Sequence, residues 1–190
     1  MQFQLTFDYL CPFARNTNEA VVRGLEQGRD WDVTFRPFSL SQTKVEEGAP
    51  DVFDDPEASG VRALHWGIAV RDLDPERFPA AHLALFAARH DDRLDIRDED
   101  VIRRALEPTG VDLDAVAENV ASGKPAARLA DEHTEAVDRW SVFGVPTFIT
   151  EQDATFVRQM DRGSVEDVDR VLEMLEWTSL NEFKRTQVPR

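Results

Sequence analysis

The sequence predicts a mixed α/β protein in which a block of helices interrupts a four-stranded sheet. Three observations carry this prediction. The first 40 residues read strand–helix–strand, the texture from about 60 to 140 is helical throughout, and strand character returns after Gly144, followed by a last helix. This order divides the chain into a discontinuous α/β domain of residues 1–40 and 141–177, a helical insertion at 60–140 and a polar tail at 178–190. A length of 190 residues suits one domain with a large insertion, since a domain takes roughly 150 residues.

Each element has a local reason. Gln2 to Asp8 alternates polar and apolar residues with period two, as a strand does. Pro12 suits the first turn of a helix, whose face carries Ala14, Asn18, Val21, Val22 and Leu25 and which Gly28 stops. Asp32 to Phe38 alternates again. Residues 41–57 are polar and rich in breakers, and read as a long loop. Within the helical block, Phe78, Ala81, Leu85 and Phe86 mark one helix running to His90. Val101, Ile102, Ala105 and Leu106 mark a second, stopped by Pro108 and Gly110. Asp112 caps a third that buries Leu113, Val116, Ala117 and Val120, and a fourth from Pro125 carries the stripe Leu129, His133, Val137 and Trp140. Thr147 to Thr150 and Ala154 to Arg158 form a hairpin around Glu151, Gln152 and Asp153. Ser164, with Asp167 three residues on, caps the last helix, which buries Val168, Val171, Leu172 and Leu175.

Composition narrows the partners. With 37 acidic against 22 basic residues, the net charge is −15, which argues against nucleic acid and against an anionic membrane surface. No run of about 18 apolar residues predicts a membrane span, and Met1 to Leu10 lacks the basic and apolar regions of a secretory leader. A cytoplasmic location is therefore expected. His65, His82, His90 and His133 show no metal-binding spacing, so no metal site is expected. His133 reads as a hydrogen-bonded core residue, and Trp66 and Phe78 fit either core packing or a pocket beneath the insertion. Without a glycine-rich phosphate loop, no nucleotide cofactor is indicated.

The chain has one cysteine, Cys11, so no disulfide can form within it. Cys11 stands where a strand hands over to a helix. There the unpaired N–H groups and the positive end of the helix dipole favour thiolate, the nucleophilic form. Arg15, one turn on, adds positive charge if its side chain folds back toward the sulfur. The alternative is a buried structural cysteine, since free cysteine packs as a small hydrophobe.

The run Phe7-Asp8-Tyr9-Leu10-Cys11-Pro12-Phe13-Ala14, then helix, strand and helical insertion, then Phe143-Gly144-Val145-Pro146-Thr147-Phe148, resembles the DsbA-like branch of the thioredoxin superfamily from Gln2 to about Trp177. The resemblance implies a thioredoxin-like fold with an all-helical insertion. It also implies a cis peptide bond at Pro146, packed against the helix start that carries Cys11, with the backbone of Val145 pairing an extended substrate beside the sulfur. Cys11 and Pro12 are then the catalytic residues, and Phe13, Ala14, Val145 and Pro146 the substrate-binding ones. One departure matters. Family members that make or break disulfides usually carry Cys-x-x-Cys, and Ala14 stands at the second position. Nothing in the chain can resolve a mixed disulfide on Cys11, so a monothiol mechanism with an external thiol is what survives. A redox sensor cycling through sulfenic acid also remains open.

The chain also resembles a related branch, the kappa-class glutathione transferases and 2-hydroxychromene-2-carboxylate isomerases, which use a serine near the Cys11 position to activate glutathione. Met160-Asp161-Arg162 is similar to the Ser-Asp-Arg run that holds glutathione there, with Asp161 matching and the serine absent. Asp161 and Arg15 are therefore candidate contacts for a thiol cosubstrate, against the plainer reading of Asp161 and Arg162 as surface charges beside a helix. The expectation is a monothiol thiol–disulfide oxidoreductase with no tightly bound cofactor and a low-molecular-weight thiol as cosubstrate. The alternatives are a small-thiol-dependent transferase or isomerase and a non-catalytic thioredoxin-like binding module.

Overall fold

Phe3, Leu5 and Phe7 of β1 (Gln2–Phe7) are fully buried on one face, and Thr6 on the other face is buried too, which makes β1 an interior strand. The computed structural model describes residues 1–185 and 187, so Thr186 and residues 188–190 of the expected tail lie outside the described residues. β2 (Asp32–Pro37) runs parallel to β1, from Gln2 opposite Asp32 to Phe7 opposite Pro37. On the other side β3 (Thr147–Ile149) is antiparallel, with Leu5 opposite Phe148, and β4 (Ala154–Phe156) pairs with β3. The sheet order is β2-β1-β3-β4. β4 ends at Phe156, two residues short of the expected strand, and Arg158 lies beyond the ladder.

α1 (Pro12–Glu26) makes the crossover from β1 to β2 and packs against β1, α3 (Phe78–His90) and α7 (Val165–Leu175). Ser164 caps α7 by accepting the Asp167 N–H at 3.3 Å, as the sequence predicted. Between β2 and β3 come α2 (Val61–Leu73), α3, α4 (Glu99–Leu106), α5 (Leu113–Ala121) and α6 (Lys124–Trp140). The sequence marked four helices here and did not separate α2. The reason is burial: Ala63 through Val70 are all buried among α3, α5 and α6, so no polar face alternates with an apolar one. Trp66 and Phe78 are packed in the core.

Two expected stripes shift. On α5 only Val116 is buried, with Leu113, Ala117 and Val120 half-buried at the edge of the core. On α6 the buried line is Pro125, Leu129, His133 and Ala136, while Val137 turns outward at 40% exposure. Three turns of 3.6 residues counted from Pro125 reach about position 136, so the inward place falls on Ala136. Among the described residues no helix is long and apolar enough to cross a membrane.

Candidate active site

Cys11 is the N-cap of α1. Its backbone is extended, with φ −93° and ψ 117°, and Pro12 opens the helix without needing a hydrogen-bond acceptor. The Ala14 N–H donates to Cys11 Sγ at 3.4 Å, so the sulfur occupies the place of a capping oxygen. The Cys11 N–H donates to the Asp8 carbonyl at 3.0 Å, which tightens the turn leading out of β1. Across the site the Val145–Pro146 peptide bond is cis, and the Cys11 thiol donates to the Val145 carbonyl at 3.4 Å. Two bonds fix that loop: the Thr147 N–H donates to Thr6 Oγ1 at 2.8 Å, and the Thr147 hydroxyl donates to the Gly144 carbonyl at 2.8 Å. The structure thus brings Cys11, Pro12, Phe13 and Ala14 together with Val145 and Pro146, residues about 130 positions apart in sequence.

The electrostatics of the sulfur differ from the expectation. Burial pushes the Cys11 thiol up, and the buried Asp8 carboxylate pushes the same way. The N–H groups of Ala14 and Phe13 and the guanidinium of Arg158 pull it down without overcoming the desolvation. The helix start does act on the sulfur as anticipated. However, with Cys11 only 7% exposed, the loss of water outweighs it, and the resting group is a thiol.

Arg15 does not fold back to the sulfur. Its guanidinium donates to Asp91 at 3.0 Å and to Asn16 Oδ1 at 3.2 Å, which ties α1 to the end of α3. Arg162 is likewise structural: it donates to Asp91 at 2.7 Å through two nitrogens and to the buried Glu19 at 2.5 Å. Asn16 completes the clamp, with its amide donating to the carbonyls of Gln159 and Met160 at 3.1 Å each. Asp161 is exposed and has no hydrogen-bond partner among the described residues.

His65, His82 and His133 are buried, while half-buried His90 donates from Nε2 to the Tyr9 carbonyl at 2.9 Å. Nδ1 of His133 accepts the Ser39 N–H at 3.2 Å while the ring stacks on Phe38, and burial pushes its pKa down to about 4. His82 links α3 to the site: its Nδ1 accepts from the Tyr9 hydroxyl at 3.0 Å and its Nε2–H donates to Asn18 Oδ1 at 3.0 Å. Asn18 in turn donates to the Ala14 carbonyl at 2.8 Å, so a buried polar chain ends on the first turn of α1.

Two features escaped the sequence reading. Asp8 is fully buried, accepting the Leu10 N–H at 2.8 Å and the Leu40 N–H at 2.7 Å, and its pKa is pushed up to about 6 by desolvation. Its trace in the sequence was an aspartate inside the apolar run Phe7 to Leu10, three residues before Cys11. Arg158, just past β4, supplies the cation that Arg15 does not, and only the turn of the hairpin toward the sulfur reveals it.

A cysteine capping a helix start opposite a cis X–Pro, beside a four-stranded mixed sheet, defines a thioredoxin-like protein. The chain belongs to the DSBA-like thioredoxin domain family, whose model matches residues 4–168. No curated protein matches the sequence. Among solved structures, the chain is similar to the cytosolic disulfide reductase DsbM from Pseudomonas aeruginosa with GSH, at 19% identity and a TM-score of 0.66, covering 93% of this chain and 100% of that one. It is similar to a 2-hydroxychromene-2-carboxylate isomerase, at 17% identity and a TM-score of 0.66, with 94% and 98% covered. A putative protein disulfide isomerase from Nitrosomonas europaea matches at 12% identity and a TM-score of 0.65, with 93% and 98% covered. These likenesses show a shared fold.

Proposed function

We propose that this protein is a monothiol thiol–disulfide oxidoreductase in which Cys11 is the nucleophile and an external small thiol completes the cycle. The observation that carries the reading is the placement of Cys11 Sγ between the Ala14 N–H and the Val145 carbonyl, at the mouth of the α1 start. In the first step the Cys11 thiol gives its proton to water and the thiolate attacks one sulfur of a disulfide. A Cys11–substrate disulfide forms and the other half leaves as a thiolate. In the second step an external thiolate attacks the substrate sulfur, forms a new disulfide with it and returns Cys11 as thiolate. Each step breaks one S–S bond and forms another, with one thiolate consumed and one released, so no further oxidant enters.

The N–H groups of Phe13 and Ala14 hold the developing charge on Cys11, Pro12 leaves that end of the helix open, and the Val145 backbone docks the substrate beside Pro146. A thiol with an elevated pKa is a poor leaving group, so a mixed disulfide on Cys11 is a weak oxidant, which favours the reducing direction. Glutathione is a suitable cosubstrate, in keeping with the DsbM structure determined with GSH, and the exposed Asp161 is a candidate carboxylate for its ammonium group. Arg15, committed to Asp91, is not part of that contact. A reducing, cytoplasmic compartment suits such a cycle, because small thiols are abundant there.

A second reading rests on the resting protonation of Cys11. A neutral thiol can donate a hydrogen bond to a bound small-thiol thiolate, as the activating serine of the transferase and isomerase branch does. Incubation with glutathione disulfide followed by intact-mass measurement separates the readings. Exchange predicts one glutathione adduct, absent in Cys11→Ser and removed by reduced glutathione. A folded protein that forms no adduct but conjugates an electrophile with glutathione refutes exchange and supports the transferase. Neither activity leaves a binding module.

A further inference from the structure

The rim of the site carries an arginine in an unusual setting. Arg158 is exposed and its guanidinium lies 5.4 Å from the ring centroid of Phe13 and 5.9 Å from that of Phe156. Phe143, 72% exposed, packs on Phe156 with 5.0 Å between ring centroids. Phe13 follows Pro12 in the first turn of α1, and Phe143 precedes the Gly144-Val145-Pro146 loop, so the two residues belong to the two segments that meet at Cys11. Unlike Arg15, Arg29, Arg36 and Arg162, Arg158 has no carboxylate partner among the described residues. The next residue, Gln159, is buried with neither atom of its side-chain amide hydrogen-bonded, a second unmet polar group on this segment. A guanidinium propped on aromatic faces keeps its N–H edges free for a bidentate anion, and the cost of ordering it is already met by the rings. In a chain of net charge −15, an unpaired cation that acts on Cys11 offsets locally a field that otherwise repels anions.

We propose that Arg158, with Phe13 and Phe143, forms a recognition subsite that selects thiols and disulfides carrying a carboxylate and an apolar flank close to the reacting sulfur. The guanidinium pairs with the carboxylate while the exposed Phe143 ring covers the apolar part. The inference rests on the reading of Cys11 as an exchange nucleophile, and it adds the class of substrate.

The test compares two aryl disulfides, the dianionic dithiobis-nitrobenzoate and the neutral dithiodipyridine. In each, the Cys11 thiolate attacks one sulfur and an aryl thiolate leaves, which is followed by its absorbance. The readout is the ratio of the two rate constants, normalised to the same ratio for free cysteine, so that any change in the thiolate fraction of Cys11 cancels. The wild type is expected to prefer the anionic reagent by about three- to tenfold, from one charge pair at partly solvated range. The preference collapses toward one in Arg158→Gln, is largely kept in Arg158→Lys, and shrinks in molar salt as screening requires. A ratio near one in the wild type, or one unchanged in Arg158→Gln, with both reagents labelling Cys11, overturns the subsite and leaves the exchange reading standing. If neither reagent labels the folded protein while both label it after unfolding, the exchange reading falls and the subsite with it.

Discussion

Asp8→Asn tests the electrostatics beneath the site. The Asp8 carboxyl is fully buried, with one oxygen accepting the Leu10 N–H and the other the Leu40 N–H, so it ties the turn before Cys11 to the end of β2. Its pKa rises from 3.8 to about 6 because burial disfavours the charged form more than the two N–H groups favour it. The folded carboxyl holds its proton more tightly than the unfolded one. Its contribution is therefore fully present below about pH 4 and is lost as the pH rises through about 6. The gap between the two values corresponds to roughly 3 kcal/mol, of which about 2 kcal/mol falls between about pH 4.5 and about pH 7.5. Asparagine carries no titrating charge but turns an NH2 group toward one of the two donors, which costs about 1–3 kcal/mol at every pH. Urea unfolding of wild type and variant should show a clear destabilisation near pH 4.5 that shrinks by about 2 kcal/mol near pH 7.5. Taking the difference between the two proteins cancels the opposite titration of His82 and His133. A destabilisation that does not change with pH would refute the reasoning, since it would mean that Asp8 titrates as a solvated carboxylate. The same variant removes a negative charge acting on the sulfur, so the alkylation of Cys11 should move to lower pH.

Other outcomes follow from the same contacts. His82 is neutral in the fold, with a pKa pushed down to about 3 from 6.5, so its stabilising contribution is complete above pH 6.5 and is lost as the pH falls toward 3; an acid titration of urea midpoints should flatten in His82→Gln relative to wild type. Gly67→Ala places a Cβ 2.3 Å from the Tyr9 hydroxyl, which must leave His82; a loss of about 1–3 kcal/mol is expected in denaturant unfolding, with faster hydrogen exchange at the Ala14 end of α1. Arg162→Met removes the bridge from Glu19 to Asp91 and should lower stability by about 1–3 kcal/mol while leaving the pH profile of Cys11 alkylation in place, because Arg162 does not act on the sulfur.

Local pattern carried much of the fold. Period-two alternation marked β1 and β2, the caps at Asp112 and Ser164 sit where short polar side chains accept orphan N–H groups, and Gly28 takes the left-handed conformation just past α1. Where burial is all-round, that information disappears: α2 has no polar stripe to give it a period, and Val137 shows that apolar spacing does not fix which neighbour of a stripe turns inward.

For the site, the sequence by itself determined the candidate nucleophile and its limits. One cysteine at a strand-to-helix junction excludes a two-cysteine cycle, because that conclusion needs only counting and local backbone geometry. Tertiary structure decided what that atom meets beyond the helix start. The Val145 carbonyl, Asp8 and Arg158 reach Cys11 through packing of β1, β3 and the hairpin, and Arg15 is drawn away by Asp91 on α3. Charge interactions depend on distance and desolvation; the Phe13 and Ala14 N–H groups are local to the helix start, but the burial that outweighs them is set by the closed fold.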